Sequence, residues 1–126
     1  WTLDYRPDFT AKETGLDGFI NWDKDFIGKD NAQKDESTNK IVPLIIETND
    51  IDVTNNEALL KGDKSIGYIT SGGFAHFVNK SVAFSYLNQN EIKSEKGIQV
   101  EINGDLFNCS IIKEPLYDPK GQKMRS

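Results

Sequence analysis

Gly67-Tyr-Ile-Thr-Ser-Gly-Gly-Phe-Ala-His-Phe-Val-Asn-Lys-Ser-Val-Ala-Phe-Ser-Tyr-Leu87 is the stretch whose reading decides the fold. It reads as two strands, Ser65–Ser71 and Ser81–Leu87, joined by an aromatic connection that contains glycine. Gly72 and Gly73 can take positive φ or let another backbone come close, which a Cβ resists. Phe74, Phe77 and Val78 are too apolar for a free loop, so the connection packs on something. The chain's one histidine, His76, lies among them. Two uses are open for this block: a structural corner between sheet edges, or the lining of a ligand site.

Outward from it, the pattern stays β. Lys40–Glu47 is a β-branched run whose Pro43 cannot donate to a ladder and so favours an edge or bulge. Ala58–Lys61 and Ser65–Ser71 flank the turn Gly62-Asp63. Ile98–Ile102 and Leu106–Ile112 flank Asn103-Gly104, the pair that a type I′ hairpin turn requires. Leu16–Trp22 alternates loosely and reads as a first strand. Asp25 is a candidate cap for a short helix to about Asp35. Asn49–Asn56 is turn chemistry, and Asn88–Lys96 reads as polar and mobile. The tail leaves the sheet through Pro115 and Pro119. About seven short strands, one helix and no βαβ rhythm predict a mainly β sandwich or barrel.

At 126 residues the chain is one domain. No apolar run approaches the roughly 20 residues that cross a bilayer, so no membrane association is expected. Fifteen basic side chains against twenty acidic ones give a net charge of −5, with the signs interspersed. That argues against phosphate-backbone binding, so no nucleic-acid partner is expected. Neither a basic leader nor an initiator Met opens the chain; a start at Trp1 suggests a piece of a longer polypeptide. A single cysteine, Cys109, excludes an internal disulfide and suggests a reducing compartment. Cys109 shares a strand face with Phe107 and Ile111, as a small core residue would.

Chemistry is hard to find. One His and one Cys do not make a zinc site, and nothing in the spacing pairs Cys109 with His76 as nucleophile and base. Gly72-Gly73 lacks the lysine and helix start of a phosphate loop. Residues 50–56 lack the glycine and closing glutamate of a calcium loop. No catalytic residue and no metal ligand is expected, which suggests a binding or supporting module.

An ordered set of motifs carries a resemblance. Asp25-Phe-Ile-Gly-Lys29, Gly67-Tyr-Ile-Thr-Ser-Gly72, Lys80-Ser-Val-Ala83 and Pro115-Leu-Tyr-Asp-Pro119 follow one another as in the C-terminal domain of glycine-cleavage T-proteins, the aminomethyltransferases. The Pro-Leu-Tyr-Asp-Pro ending and Gly73-Phe-Ala-His76 look closer to the dimethylglycine and sarcosine dehydrogenase branch. Trp1-Thr-Leu-Asp4 resembles that family's Trp-Gly-x-Asp, and Glu13-Thr-Gly-Leu16 its Glu-Ala-Gly-Leu; Thr2 and Thr14 depart from the pattern.

The resemblance implies a six-stranded antiparallel Greek-key barrel with one short N-terminal helix. Residues 1–126 would form this barrel domain, with 1–14 as the junction to a folate-binding domain upstream. That missing domain would be its partner, and the catalytic aspartate would lie there. The cofactor implied is tetrahydrofolate, with FAD in a further missing domain of the dehydrogenase branch and a methylated amine as the parent's substrate. The compartment implied is the cytoplasm, or the mitochondrial matrix in a eukaryote. Lys29 would hold the anionic folate tail, Ser71 and Gly72 would sit at a chamber-facing turn, His76 would line it, and Tyr117 would stack on the folate. Solvation or packing is the competing account of Lys29, His76 and Tyr117. The alternatives in function are a stand-alone β-barrel interaction or nucleic-acid-binding module, and a family member that regulates through protein contacts without catalysis. An accessory domain should expose an apolar patch, involving Trp1, Tyr5, Phe9 and parts of 72–77.

Overall fold

A computed structural model describes residues 1–48 and 50–125. Six strands form the body: β1 Asn39–Ile46, β2 Ala58–Lys61, β3 Lys64–Ala75, β4 Lys80–Asn88, β5 Ile98–Ile102 and β6 Asp105–Ile111. They close into an antiparallel barrel in the order β1-β4-β3-β2-β5-β6. The meander β2-β3-β4 returns to lie beside β1, which is Greek-key connectivity. Alternate side chains of each strand point inward, as the twofold period of a strand demands. Val42, Leu44, Ile46, Leu59, Ile69, Leu87, Ile98, Val100 and Ile102 fill the interior, and Cys109 joins them.

The turns follow local chemistry. Asn103 and Gly104 have φ of 53° and 91°, the left-handed pair that closes the β5–β6 hairpin. The β1–β6 ladder ends at Leu44 opposite Ile111, and Pro43 is the next residue of β1 beyond it. The Ile112 N–H donates to its carbonyl at 2.9 Å, and the missing proline N–H ends the pairing there.

Two connections cover opposite ends of the barrel. The connection from β1 to β2 carries Val53 into the core, with Ile51 packed against it. The polar stretch after β4 is ordered as a short helix, α2 (Gln89–Lys93, with α1 at Lys29–Gln33). The Asn88 side chain accepts from the Asn90 N–H at 3.0 Å, and Ile92 packs on the core. A capping side chain and one apolar anchor thus order a segment that reads as mobile.

Two other expectations are corrected. Leu16–Trp22 is no strand: its N–H groups close local turns, with a 3-10 turn at Asp17–Phe19, and Leu16 and Phe19 are exposed. The N-terminal helix does not begin at Asp25, because Gly28 stands before Lys29 at φ +87° and resets the chain direction.

The N-terminal 38 residues are fastened to the barrel at named points. β3 carries one extra residue, Thr70, opposite β4. That bulge brings the hydroxyls of Thr70 and Ser71 to 2.5 Å and 2.8 Å from the Asp4 carboxylate, while the Tyr86 hydroxyl donates to the Asp4 carbonyl at 2.6 Å. Phe9 stacks on Tyr86 with ring centroids 3.7 Å apart. Thr10 and Glu13 cap each other reciprocally, and the Glu13 carbonyl accepts from the Ile41 N–H at 2.8 Å.

Candidate functional site

β3 outlasts β2. Pairing between them ends at Ala58 opposite Tyr68, and beyond it Ile69 exchanges backbone hydrogen bonds with Asn56 and Glu57. The remaining hairpin pairs Ser71–Ala75 with Lys80–Phe84; its β3 side has no β2 partner, while Ser81–Phe84 stay paired with β1. The tail from Ile112 to Tyr117 runs alongside it. Between them lies a groove of about 790 Å³, mostly apolar, walled by Phe74, Phe77, Val82, Phe84, Leu116 and Tyr117.

The glycines of this hairpin have separate jobs. Neither Gly72 nor Gly73 takes positive φ. A Cβ on Gly72 would lie 2.6 Å from Val53 Cγ1 and 2.9 Å from the Val53 carbonyl oxygen, so its close neighbour belongs to this same chain. A Cβ on Gly73 would meet nothing within 4 Å. Gly73 also lines the groove, so the missing side chain leaves part of its wall open.

The five residues singled out from the sequence do not converge. Ser71, Gly72 and Tyr117 line the groove; Lys29 and His76 are not among its lining residues. The Ser71 hydroxyl already donates to Asp4. Lys29 Nζ donates to the Lys24 carbonyl at 3.2 Å and so closes its own loop. His76 is exposed at the hairpin tip, edge-on to Phe74 with centroids 5.0 Å apart. Gly73, Phe77 and Phe84 were not singled out as site residues, although the glycine pair and the surplus of aromatics around it were the available signal.

A second cleft, of about 570 Å³, lies between residues 10–22 and α1. It is lined by Lys12, Asp17, Trp22, Asn31 and Asp35, among others. Lys12 Nζ donates to the Asp35 carbonyl at 2.5 Å. The Ser37 and Thr10 hydroxyls hold the Asp35 carboxyl down to about 2.

Exposed aromatic and apolar side chains include Trp1, Tyr5, Phe74, Phe77 and Tyr117, whereas Phe9 is covered by Tyr86. Among the described residues no three His, Cys, Asp or Glu stand together as metal ligands, and no helix is long and apolar enough to cross a membrane. Against a pterin-type cofactor, the groove offers aromatic and aliphatic faces for the flat ring. Its polar groups are few: Ser71 is engaged by Asp4 and Lys113 is paired with Glu95 at 2.9 Å. It therefore fits as one apolar wall and not as a complete folate site.

This is a closed Greek-key barrel domain with one apolar, grooved face. Residues 39–118 match the family model described as the glycine cleavage T-protein C-terminal barrel domain, and the chain belongs to that family. Over 121 residues it is 31% identical to human mitochondrial dimethylglycine dehydrogenase, covering 92% of this chain and 14% of that protein. Over 111 residues it is 36% identical to an aminomethyltransferase of Pseudothermotoga lettingae, covering 86% of this chain and 30% of the relative. Its fold is similar to the glycine cleavage system aminomethyltransferase T of Bartonella henselae, with a TM-score of 0.80 and 23% identity over 94% of this chain and 35% of that one. The chain thus spans between a seventh and about a third of the proteins it resembles.

Proposed function

We propose that this barrel is the C-terminal accessory domain of a tetrahydrofolate-dependent one-carbon enzyme, an aminomethyltransferase or a dimethylglycine dehydrogenase. On this reading it closes over a folate chamber built largely by an upstream domain, to which residues 1–14 are the junction, and does not turn over substrate alone. The observation that carries the reading is the apolar groove with exposed Phe77 and Tyr117 at its rim, on a barrel of this family. Transfer of a methylene carbon to a folate nitrogen needs a space from which water is excluded, and an apolar wall supplies that exclusion.

Tyr117 offers an aromatic face to the folate, and Ser71 and Gly72 hold the groove edge in shape through Asp4 and Val53. Lys29 is the proposed cation for the folate tail and His76 a polar lining residue; both act from outside the groove and depend on the upstream domain for their surroundings. The methylated amine, and FAD in the dehydrogenase branch, belong on this reading to residues beyond this chain. The alternative of a stand-alone nucleic-acid module is disfavoured by the net charge of −5.

The test is a tetrahydrofolate titration on the full-length protein. Tyr117→Ala and Lys29→Ala should each weaken binding about three-fold to ten-fold, as loss of one stacking or ionic contact does. Unchanged affinity in both variants refutes the binding roles, and folate-dependent demethylation by the isolated 126 residues refutes the accessory role.

A further inference from the structure

Asn103 and Gly104 form the two-residue turn between Ile102 and Asp105, which pair across the β5–β6 hairpin. With φ of 53° and 91° both residues are left-handed, and both are exposed. Among the described residues no hydrogen bond engages the Asn103 side-chain amide or the Gly104 N–H. Other asparagine amides are held. Asn88 donates to Thr38 and accepts from Asn90, Asn108 accepts from Gln99 at 3.1 Å, and Asn21 accepts from the Asp23 N–H at 3.1 Å. Of the eleven asparagines, Asn103 alone precedes a glycine, whose missing side chain leaves its backbone nitrogen open to approach.

A free side-chain amide beside an unshielded backbone N–H supplies both reactants of cyclic imide formation. We infer that Asn103 is a site of spontaneous deamidation, and that one of its two products opens the barrel at the β5–β6 hairpin. The Gly104 nitrogen forms a bond to the Asn103 side-chain carbonyl carbon, and the bond from that carbon to the amide nitrogen breaks. The amide leaves as ammonia, taking the proton that Gly104 gives up. Water then opens the imide at either carbonyl. Opening at the side-chain carbonyl leaves ordinary aspartate, which tolerates left-handed backbone. Opening at the main-chain carbonyl leaves isoaspartate, and the chain then runs through the side-chain carbon with an extra methylene. A type I′ turn closes on two residues of ordinary length, so the lengthened loop no longer sets Ile102 against Asp105. Ile102 is buried in the core, and β5 and β6 are the strands that join β2 to β1 around the barrel. The turn lines neither the groove nor the cleft, so the reaction is separate from the folate reading.

The experiment is peptide mapping of the folded protein by mass spectrometry during incubation in warm, mildly alkaline buffer, with a urea-denatured sample alongside. Electron-transfer fragmentation tells isoaspartate from aspartate. The expected result is conversion of Asn103 ahead of the other ten asparagines, to a mixture of the two acids. The isoaspartate form, once separated by chromatography, should show a lowered Tm, whereas freshly prepared Asn103→Asp melts with the parent. Asn103→Gly keeps a residue suited to the left-handed position and removes the amide, so its Tm should hold through the same incubation. An intact Asn103 in the folded protein once the denatured sample has converted, or an isoaspartate form that melts with the parent, overturns the proposal.

Discussion

Adjacent glycines with opposite environments give the sharpest residue-level test. Gly72→Ala forces a Cβ against the Val53 side chain and carbonyl oxygen, the segment that plugs one end of the barrel. It should cost about 1–3 kcal/mol, as overpacking does. Gly73→Ala meets open space and removes freedom from the unfolded chain, so it should be neutral or stabilise by up to about 1 kcal/mol. Equal denaturation midpoints for the two variants would contradict this account. Thr2 is a second case: it stands at φ +73°, where the resembled Trp-Gly-x-Asp pattern has glycine, and a β-branched residue is strained there. Burial pushes the Cys109 thiol up to about 12. At pH 8 the thiol should therefore resist iodoacetamide in the native protein and react once denaturant exposes it, which mass spectrometry reads directly.

Among the elements, α2 and the N-terminal segment owe their order to single side chains. The Asn88 side-chain amide oxygen caps α2, and Lys61 at the end of β2 reaches Glu91 at 2.9 Å and the Ser94 carbonyl at 2.7 Å. Asn88→Ala should cost about 1 kcal/mol and speed amide exchange within residues 89–93 while the strands stay protected. The bulge at Thr70 matters for what it aims. Without the extra residue, the Thr70 and Ser71 hydroxyls would not both face Asp4. Asp4→Ala should leave the barrel folded and make residues 1–9 the first site of limited proteolysis; unchanged cleavage would show that the Phe9–Tyr86 stack suffices to hold them.

For the molecule as a whole, titration ties the core to the N-terminal segment. Burial raises Cys109 from 9.0 to about 12 and, with the nearby Tyr5, Glu13 and Asp4, raises Tyr86 from 10.0 to about 12. Groups raised in the folded state hold protons that the unfolded chain releases. Their stabilisation is whole below pH 9 and is lost as pH climbs to 12. Asp35 works with opposite sign: its contribution is whole above 3.8 and is lost as pH falls towards 2. Thermal melts should show Tm falling from pH 9 to 12; a level Tm over that range would contradict the burial of these groups.

Much of the barrel was legible in residue order. The β-branched run Lys40–Glu47, the alternation in Ile98–Ile102, the strand Leu106–Ile112 and the Asn103-Gly104 turn specify local geometry that neighbours only confirm. The same holds for the inward face of Cys109, because a strand's side-chain period is set by its own backbone. Leu16–Trp22 and Asn88–Lys96 misled for the opposite reason: in the first, local turns leave the apolar Leu16 and Phe19 exposed, and in the second the outcome rests on Asn88 and the one apolar anchor Ile92. The site divides in the same way. Tyr117 and the glycine pair stand out in the chain, but only folding sets Tyr117 against Phe77, 40 positions earlier, and separates Lys29 and His76 from the groove. Local backbone preference is written into neighbouring residues. A groove is written into distances between strands and tail, and those exist only once the barrel has closed.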